Sequence, residues 1–278
     1  MAIDMNVLIR MPLVRRLVGS NMRRTRWKRL IGIVTLGFVT RQEMRFSDLV
    51  ADYDIVIMKH CYPASDVLED VGRPDSSSPR QSLENYKAIY RLLRDKFSGN
   101  PDTLFIVWTL PPRHRLFEPS DGDKDANAAR ATAFSNWLKG DFLAEGGPNN
   151  NIYVWDFREL VMDPDTNFLR YEYELSHSAL DSHPNKVANN EAGPQFAQFI
   201  VDSIADFAGS RPLGQGARIV FLCHSTGQGV YEYSDLGVHA WFDEYNATNG
   251  TNHLINEHWY PSNDNMPVDY YRCWISGQ

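Results

Sequence analysis

An alcohol, an imidazole and a carboxylate stand at positions in this sequence where their chemistry could combine. The alcohol is Ser225, in Arg218-Ile219-Val220-Phe221-Leu222-Cys223-His224-Ser225-Thr226-Gly227-Gln228-Gly229. An apolar, β-branched run that breaks into a serine among small residues reads as a buried strand ending in a tight turn, with a helical pattern after it. The imidazole and carboxylate are His183 and Asp181, in Asp181-Ser182-His183-Pro184-Asn185. A hydroxyl is a weak nucleophile until a base takes its proton. An imidazole does this near neutral pH when a carboxylate fixes its tautomer. Each residue also has a plainer use: Ser225 as a helix N-cap and His183 as a helix-entry residue beside a proline.

Segments that would position these groups alternate along the chain. Asp54–Met58, Thr103–Leu110, Asn151–Phe157, Arg218–Leu222 and His253–Tyr260 read as strands. Ser82–Phe97, Ala126–Leu143, Pro194–Phe207 and Ser234–Tyr245 read as helices, the first with apolar residues at helical spacing. Residues 64–81 are rich in Asp, Ser, Pro and Gly and read as a surface loop. Strands that are apolar throughout, rather than alternating, belong in a parallel sheet covered on both faces. The expected fold is therefore a three-layer α/β/α sandwich with a mostly parallel, flavodoxin-like sheet, in which Ser225 lies at the carboxyl edge where ligands bind.

Composition bounds the rest. With 278 residues, 43% of them hydrophobic, the chain can bury a full core. The formal net charge of −7 hides an asymmetry: residues 1–41 hold nine Lys/Arg against Asp4 alone, and the remainder is acidic. An acidic body lacks the positive footprint that nucleic acid requires. Residues 1–43 read as a basic arm or targeting segment, in outline a signal peptide without an A-x-A-like site, through which membrane contact is possible. Cys61, Cys223 and Cys273 show no CxxC spacing, so neither a zinc site nor a disulfide framework is signalled, and the compartment stays open. The histidines show no HExxH-like spacing, so no metal is expected.

These motifs resemble the SGNH (GDSL-like) hydrolase family over roughly residues 44–278. His224-Ser225-Thr226-Gly227 is similar to the first block of the branch with His-Ser-Thr-Gly in place of Gly-Asp-Ser. Residues 181–185 are similar to the last block, and residues 54–63 (DIVIMKHCYP) to the third-strand block. The order differs, because the first block here follows the last. A circular permutation accounts for it, with the linker near 208–216 as the join and new termini between the usual second and third strands. The resemblance implies a serine ester hydrolase with Ser225 as nucleophile, His183 as base and Asp181 orienting it. It implies no cofactor and a substrate among small-molecule, carbohydrate or lipid acyl esters. For the oxyanion it leaves Ser225 N–H, Gly227 or Gly229 N–H, and the side chains of His60 or Asn263, since the family's second-block Gly and third-block Asn have no clear match. Asp181 also precedes His183 by two residues where the family has three.

In this fold Cys61 and Cys223 come near each other, as packing residues or a disulfide, and Asp156 is a reserve acid or an N-cap. Two rivals remain. Cys223–Gly227 matches G-x-S-x-G in all but its first position, with Asp235 or Asp243 and His253 or His258 as partners, although too little chain follows for that fold. Alternatively, the chain is a catalytically degenerate SGNH-like domain that binds glycans or a protein partner through its aromatic tail.

Overall fold

Each apolar run forms a strand in the computed structural model, which describes residues 44–147, 151–207, 213, 216–232, 237–262 and 265–277. The strands are β1 (Ile55–Met58), β2 (Leu104–Trp108), β3 (Ile152–Trp155), β4 (Arg218–Cys223) and β5 (Leu254–Trp259). All pairings are parallel and the order is β3-β2-β1-β4-β5. Counted from β4 through β5 and then from β1, the same order is 2-1-3-4-5, that of flavodoxin-like sheets. The crevice of such a sheet opens at the carboxyl ends of its first and third strands, here β4 and β1, which pair through Met58 and Leu222.

Helices cover both faces, because side chains along each central strand alternate between two cores. Val56, Met58, Phe105, Val107, Val220 and Leu222 face one core, with α1 (Phe46–Asp52), α2 (Leu83–Ser98), α3 (Lys124–Lys139) and the C-terminal Trp274. Ile55, Ile57, Ile106, Trp108, Ile219 and Phe221 face the other. That layer comprises α4 (Phe157–Val161), α5 (Lys186–Asp206), α6 (Ser225–Glu232) and α7 (Val238–Asn249). The result is the expected three-layer α/β arrangement.

Boundaries moved where capping outweighed propensity. The helix expected from Pro194 begins at Lys186, because Asn185 Oδ1 accepts the Ala188 N–H (3.2 Å) and Ala188, Ala192 and Gly193 pack inward, leaving Pro194 inside it. The helix expected over Ala126–Leu143 stops at Lys139, and a short helix, Asp141–Ala144, follows Gly140. Residues 1–43 and most of the 208–216 join lie outside the described residues. Among the described residues, no helix is long and apolar enough to cross a membrane.

Candidate active site

β4 ends at Cys223, and Ser225 opens α6 one residue after His224. The turn is close: a Cβ on Gly227 would lie 2.6 Å from Cys223 Cβ and 2.9 Å from Phe221 Cζ, so only glycine lets α6 pack this tightly on its own strand. His183 arrives from the opposite direction, in the loop before α5. That loop is tied at several points. Ser182 Oγ accepts the His114 N–H (2.9 Å), Asn185 N–H donates to Tyr173 O (2.9 Å), and Asn185 Nδ2 donates to Glu172 O (2.8 Å). Asp181 Oδ1 accepts the His183 N–H (2.9 Å), which turns its carboxylate back toward the ring.

The two segments meet. His183 Nε2 lies 2.7 Å from Ser225 Oγ, and His183 Nδ1 lies 2.6 Å from Asp181 Oδ1. An ionised carboxylate only accepts, so Nδ1 carries the ring proton and the Nε2 lone pair faces the hydroxyl. The arrangement can take a proton from Ser225 and hold the resulting imidazolium against Asp181. His183 and Asp181 are both partly exposed, and a cleft of about 710 Å³ opens at Ser225 and His183, between α5 and α6.

Cys61, just beyond β1, is the second group at the hydroxyl. Its Sγ is 3.3 Å from Ser225 Oγ and 3.4 Å from Thr226 Oγ1. Burial alone would push this thiol up, but the buried Lys59, His183, Ser225 and Thr226 outweigh it and bring it down to about 5. Desolvation in turn lowers the Lys59 ammonium, whose Nζ is fully buried without a hydrogen-bond partner among the described residues. His183 is held above its ordinary value by hydrogen bonding with Cys61 first and by Asp181 as well, against the opposing effect of burial.

Several expected site residues have other employment. Gly227 N–H donates to His224 O (2.7 Å), and Gly229 lies inside α6, where its N–H belongs to the helical ladder, so neither faces an incoming oxyanion. His60 points away because strand alternation turns it to the opposite face from Lys59 and Cys61. Its ring packs on Tyr90 and Tyr270, its Nδ1 meets Asn265 O (2.9 Å), and burial drives it down to about 3. Asn263 lies outside the described residues. Nearby Asn265 is structural: its Oδ1 accepts Cys61 N–H (2.6 Å) and its Nδ2 donates to Tyr260 O (2.8 Å). Asp156 caps α4, accepting Glu159 N–H (3.1 Å). None of the three cysteines forms a disulfide among the described residues.

The rival partners of Ser225 are also engaged elsewhere. Asp243 pairs with His239 (3.2 Å), His253 Nδ1 accepts Ala217 N–H (3.0 Å), and His258 meets Tyr53. Asp235 lies outside the described residues. Among the described residues, no group of three or more His, Cys, Asp or Glu is placed to hold a metal ion.

Sequence reasoning underrated Cys61 and missed Tyr62, whose ring meets His183 edge-on at 4.7 Å. The available signal was register: these residues leave the strand beside the one that carries Ser225. Compared with known proteins, the chain matches no protein-family model, no curated protein and no solved structure.

Proposed function

We propose that this protein is a serine ester hydrolase working through an acyl-enzyme intermediate. One observation carries the reading: the continuous hydrogen-bonded path from Ser225 Oγ through the two ring nitrogens of His183 to Asp181. His183 Nε2 takes the hydroxyl proton as Ser225 Oγ attacks the ester carbonyl, and Asp181 stabilises the imidazolium that forms. The tetrahedral oxyanion lies at the start of α6, where the Ser225 and Thr226 N–H groups precede the first bond to His224 O and the helix dipole is positive. His183 then returns the proton to the departing alcohol, and water repeats the cycle to release the acid. The substrate is an acyl ester of a small molecule, carbohydrate or lipid.

The SGNH-like assignment and the circular permutation belong to the same proposal. The strand order counted from β4 and the positions of the three motif-like segments at one sheet edge support both. Fluorophosphonate labelling with mapping of the modified residue tests the reading. Modification at Ser225 that disappears in His183→Ala is the expected result. Absence of labelling, with equal p-nitrophenyl ester hydrolysis by the wild type and Ser225→Ala, sinks it in favour of a glycan- or protein-binding domain.

A further inference from the structure

Three arginines of the described chain are deeply buried: Arg94, Arg113 and Arg158. Two are held by hydrogen bonds or ion pairs, although Arg94 Nε is also buried without a partner among the described residues. Arg158 donates from Nε to Thr132 Oγ1 and from its Nη atoms to Leu110 O, Ala128 O and Asn167 O. Arg94 donates to Phe142 O and meets Glu145 and Asp95. Arg113 is only 7% exposed, yet its guanidinium makes no hydrogen bond and no ion pair among the described residues, and its Nε is sealed without a partner. Asp66 attracts it electrostatically but pairs with Asn127 Nδ2 (2.8 Å) instead. A buried guanidinium with its donors unmet is costly, because lost hydration is not replaced.

The side chain is nonetheless fixed. Its guanidinium carbon sits 3.3 Å from the centre of the Phe117 ring and 5.1 Å from that of Tyr62. Stacking of this kind holds the planar fork in one orientation and leaves its edge free. The two Nη atoms are not sealed from solvent. Arg113 follows the carboxyl end of β2, the edge at which Ser225 also lies, and the Tyr62 ring contacts both Arg113 and His183. It does not line the cleft between α5 and α6. An ester has two arms. In the proposed site one can occupy that cleft and the other extend past His183 toward Tyr62 and Arg113.

We infer that Arg113 is an anion subsite, and that the preferred ester carries a carboxylate on the arm that leaves Ser225 toward Tyr62. A carboxylate matches the fork with two parallel N–H···O bonds and supplies the charge that Arg113 lacks. This inference rests on the hydrolase reading for its chemistry but not for its binding. Its test therefore has two arms.

In the first, kcat/KM of the full-length protein is measured for monoethyl succinate, glutarate and adipate against the matching diethyl esters. In the second, dissociation constants for the same compounds are measured by calorimetry on Ser225→Ala. The expected result is a preference of about tenfold or more for at least one half-ester. That preference falls to about one in Arg113→Gln and to an intermediate value in Arg113→Lys, which keeps the charge but not the fork. A structural defect alone would lower both members of each pair together and leave the ratio standing. If Arg113→Gln does not fold, Arg113→Lys decides, and a preference unchanged there overturns the inference. Lack of preference for any half-ester in the binding arm also overturns it, as does a preference that survives in Arg113→Gln. Turnover of neutral esters without anion preference ends this inference alone. Half-ester binding without turnover keeps the subsite and removes the hydrolase reading.

Discussion

At the scale of single residues, the open question is how His183 divides its attention between an alcohol and a thiol. Ser225 Oγ lies 2.7 Å from Nε2, opens α6 and borders the cleft, whereas Cys61 is almost fully buried beneath it. Ser225 therefore attacks in the proposed mechanism, and Cys61 tunes the base. Hydrogen bonding with Cys61 is the first cause of the raised His183 pKa. Only the neutral ring can accept the serine proton, so activity is absent below that pKa and rises with pH through it. The acid limb of kcat/KM is thus expected above the ordinary histidine value of about 6.5. Cys61→Ala removes the leading cause, so the limb moves to lower pH while the serine is kept. A pH–rate profile measures this, and a limb that stays put or moves upward contradicts the role given to Cys61. Ser225→Ala is expected to lower kcat/KM by about 10³-fold or more, measured on p-nitrophenyl acetate.

At the scale of elements, two glycines of one helix separate packing from chemistry. In Gly227→Ala the new methyl meets Cys223 Cβ at 2.6 Å and Phe221 Cζ at 2.9 Å, atoms held by β4 and unable to retreat. Overpacking there is expected to destabilise by roughly 1–3 kcal/mol. In Gly229→Ala the nearest atom is Asn189 Nδ2 at 3.2 Å, the end of a side chain that can turn, and the helix gains from losing a glycine. A chemical denaturation midpoint that falls for the first variant and holds or rises for the second is the expected pair. These two residues also mark the limit of what the sequence discloses. The five strands were legible because a run such as Leu104–Trp108 is apolar at every position, and only a doubly covered sheet uses such a run. Ser225, His183 and Asp181 were legible because each follows a strand or precedes a helix with a recognisable turn. The oxyanion side was not. Whether Gly227 offers its N–H or merely makes room depends on hydrogen bonds inside α6, and whether His60 or Cys61 reaches Ser225 depends on strand parity, which a turn can reset. Arg113 escaped notice because an arginine after two prolines reads as a surface loop until Phe117 and Tyr62 are seen to cover it.

At the scale of the molecule, the proposed permutation makes a claim about chain connectivity that packing can test. β1 and β4 form the central pair and carry Cys61 and Ser225 at their ends, yet Asp54 and Arg218, joined at their base, are 164 positions apart. The last described helix meanwhile returns to the first: Trp274 packs edge-on against Phe46 with ring centres 5.5 Å apart, and Tyr260 Oη donates to Met44 O (3.2 Å). A short Gly/Ser linker from Gly277 to Met44 is therefore enough to restore the order that the resemblance implies, running residues 217–277 and then 44–207. Among the strand pairings only β1–β4 changes its sequence separation, to less than half the present value. Loop closure changes by under about 1 kcal/mol for such a difference, so equilibrium stability is expected to stay nearly the same. The folding rate is expected to rise, because the central pairing becomes more local. Stopped-flow refolding and a denaturant melt of the rearranged chain measure both. A soluble, faster-folding protein with unchanged stability and retained fluorophosphonate labelling is the expected outcome. A rearranged chain that does not fold would contradict this prediction, and the permuted ancestry would have to be given up.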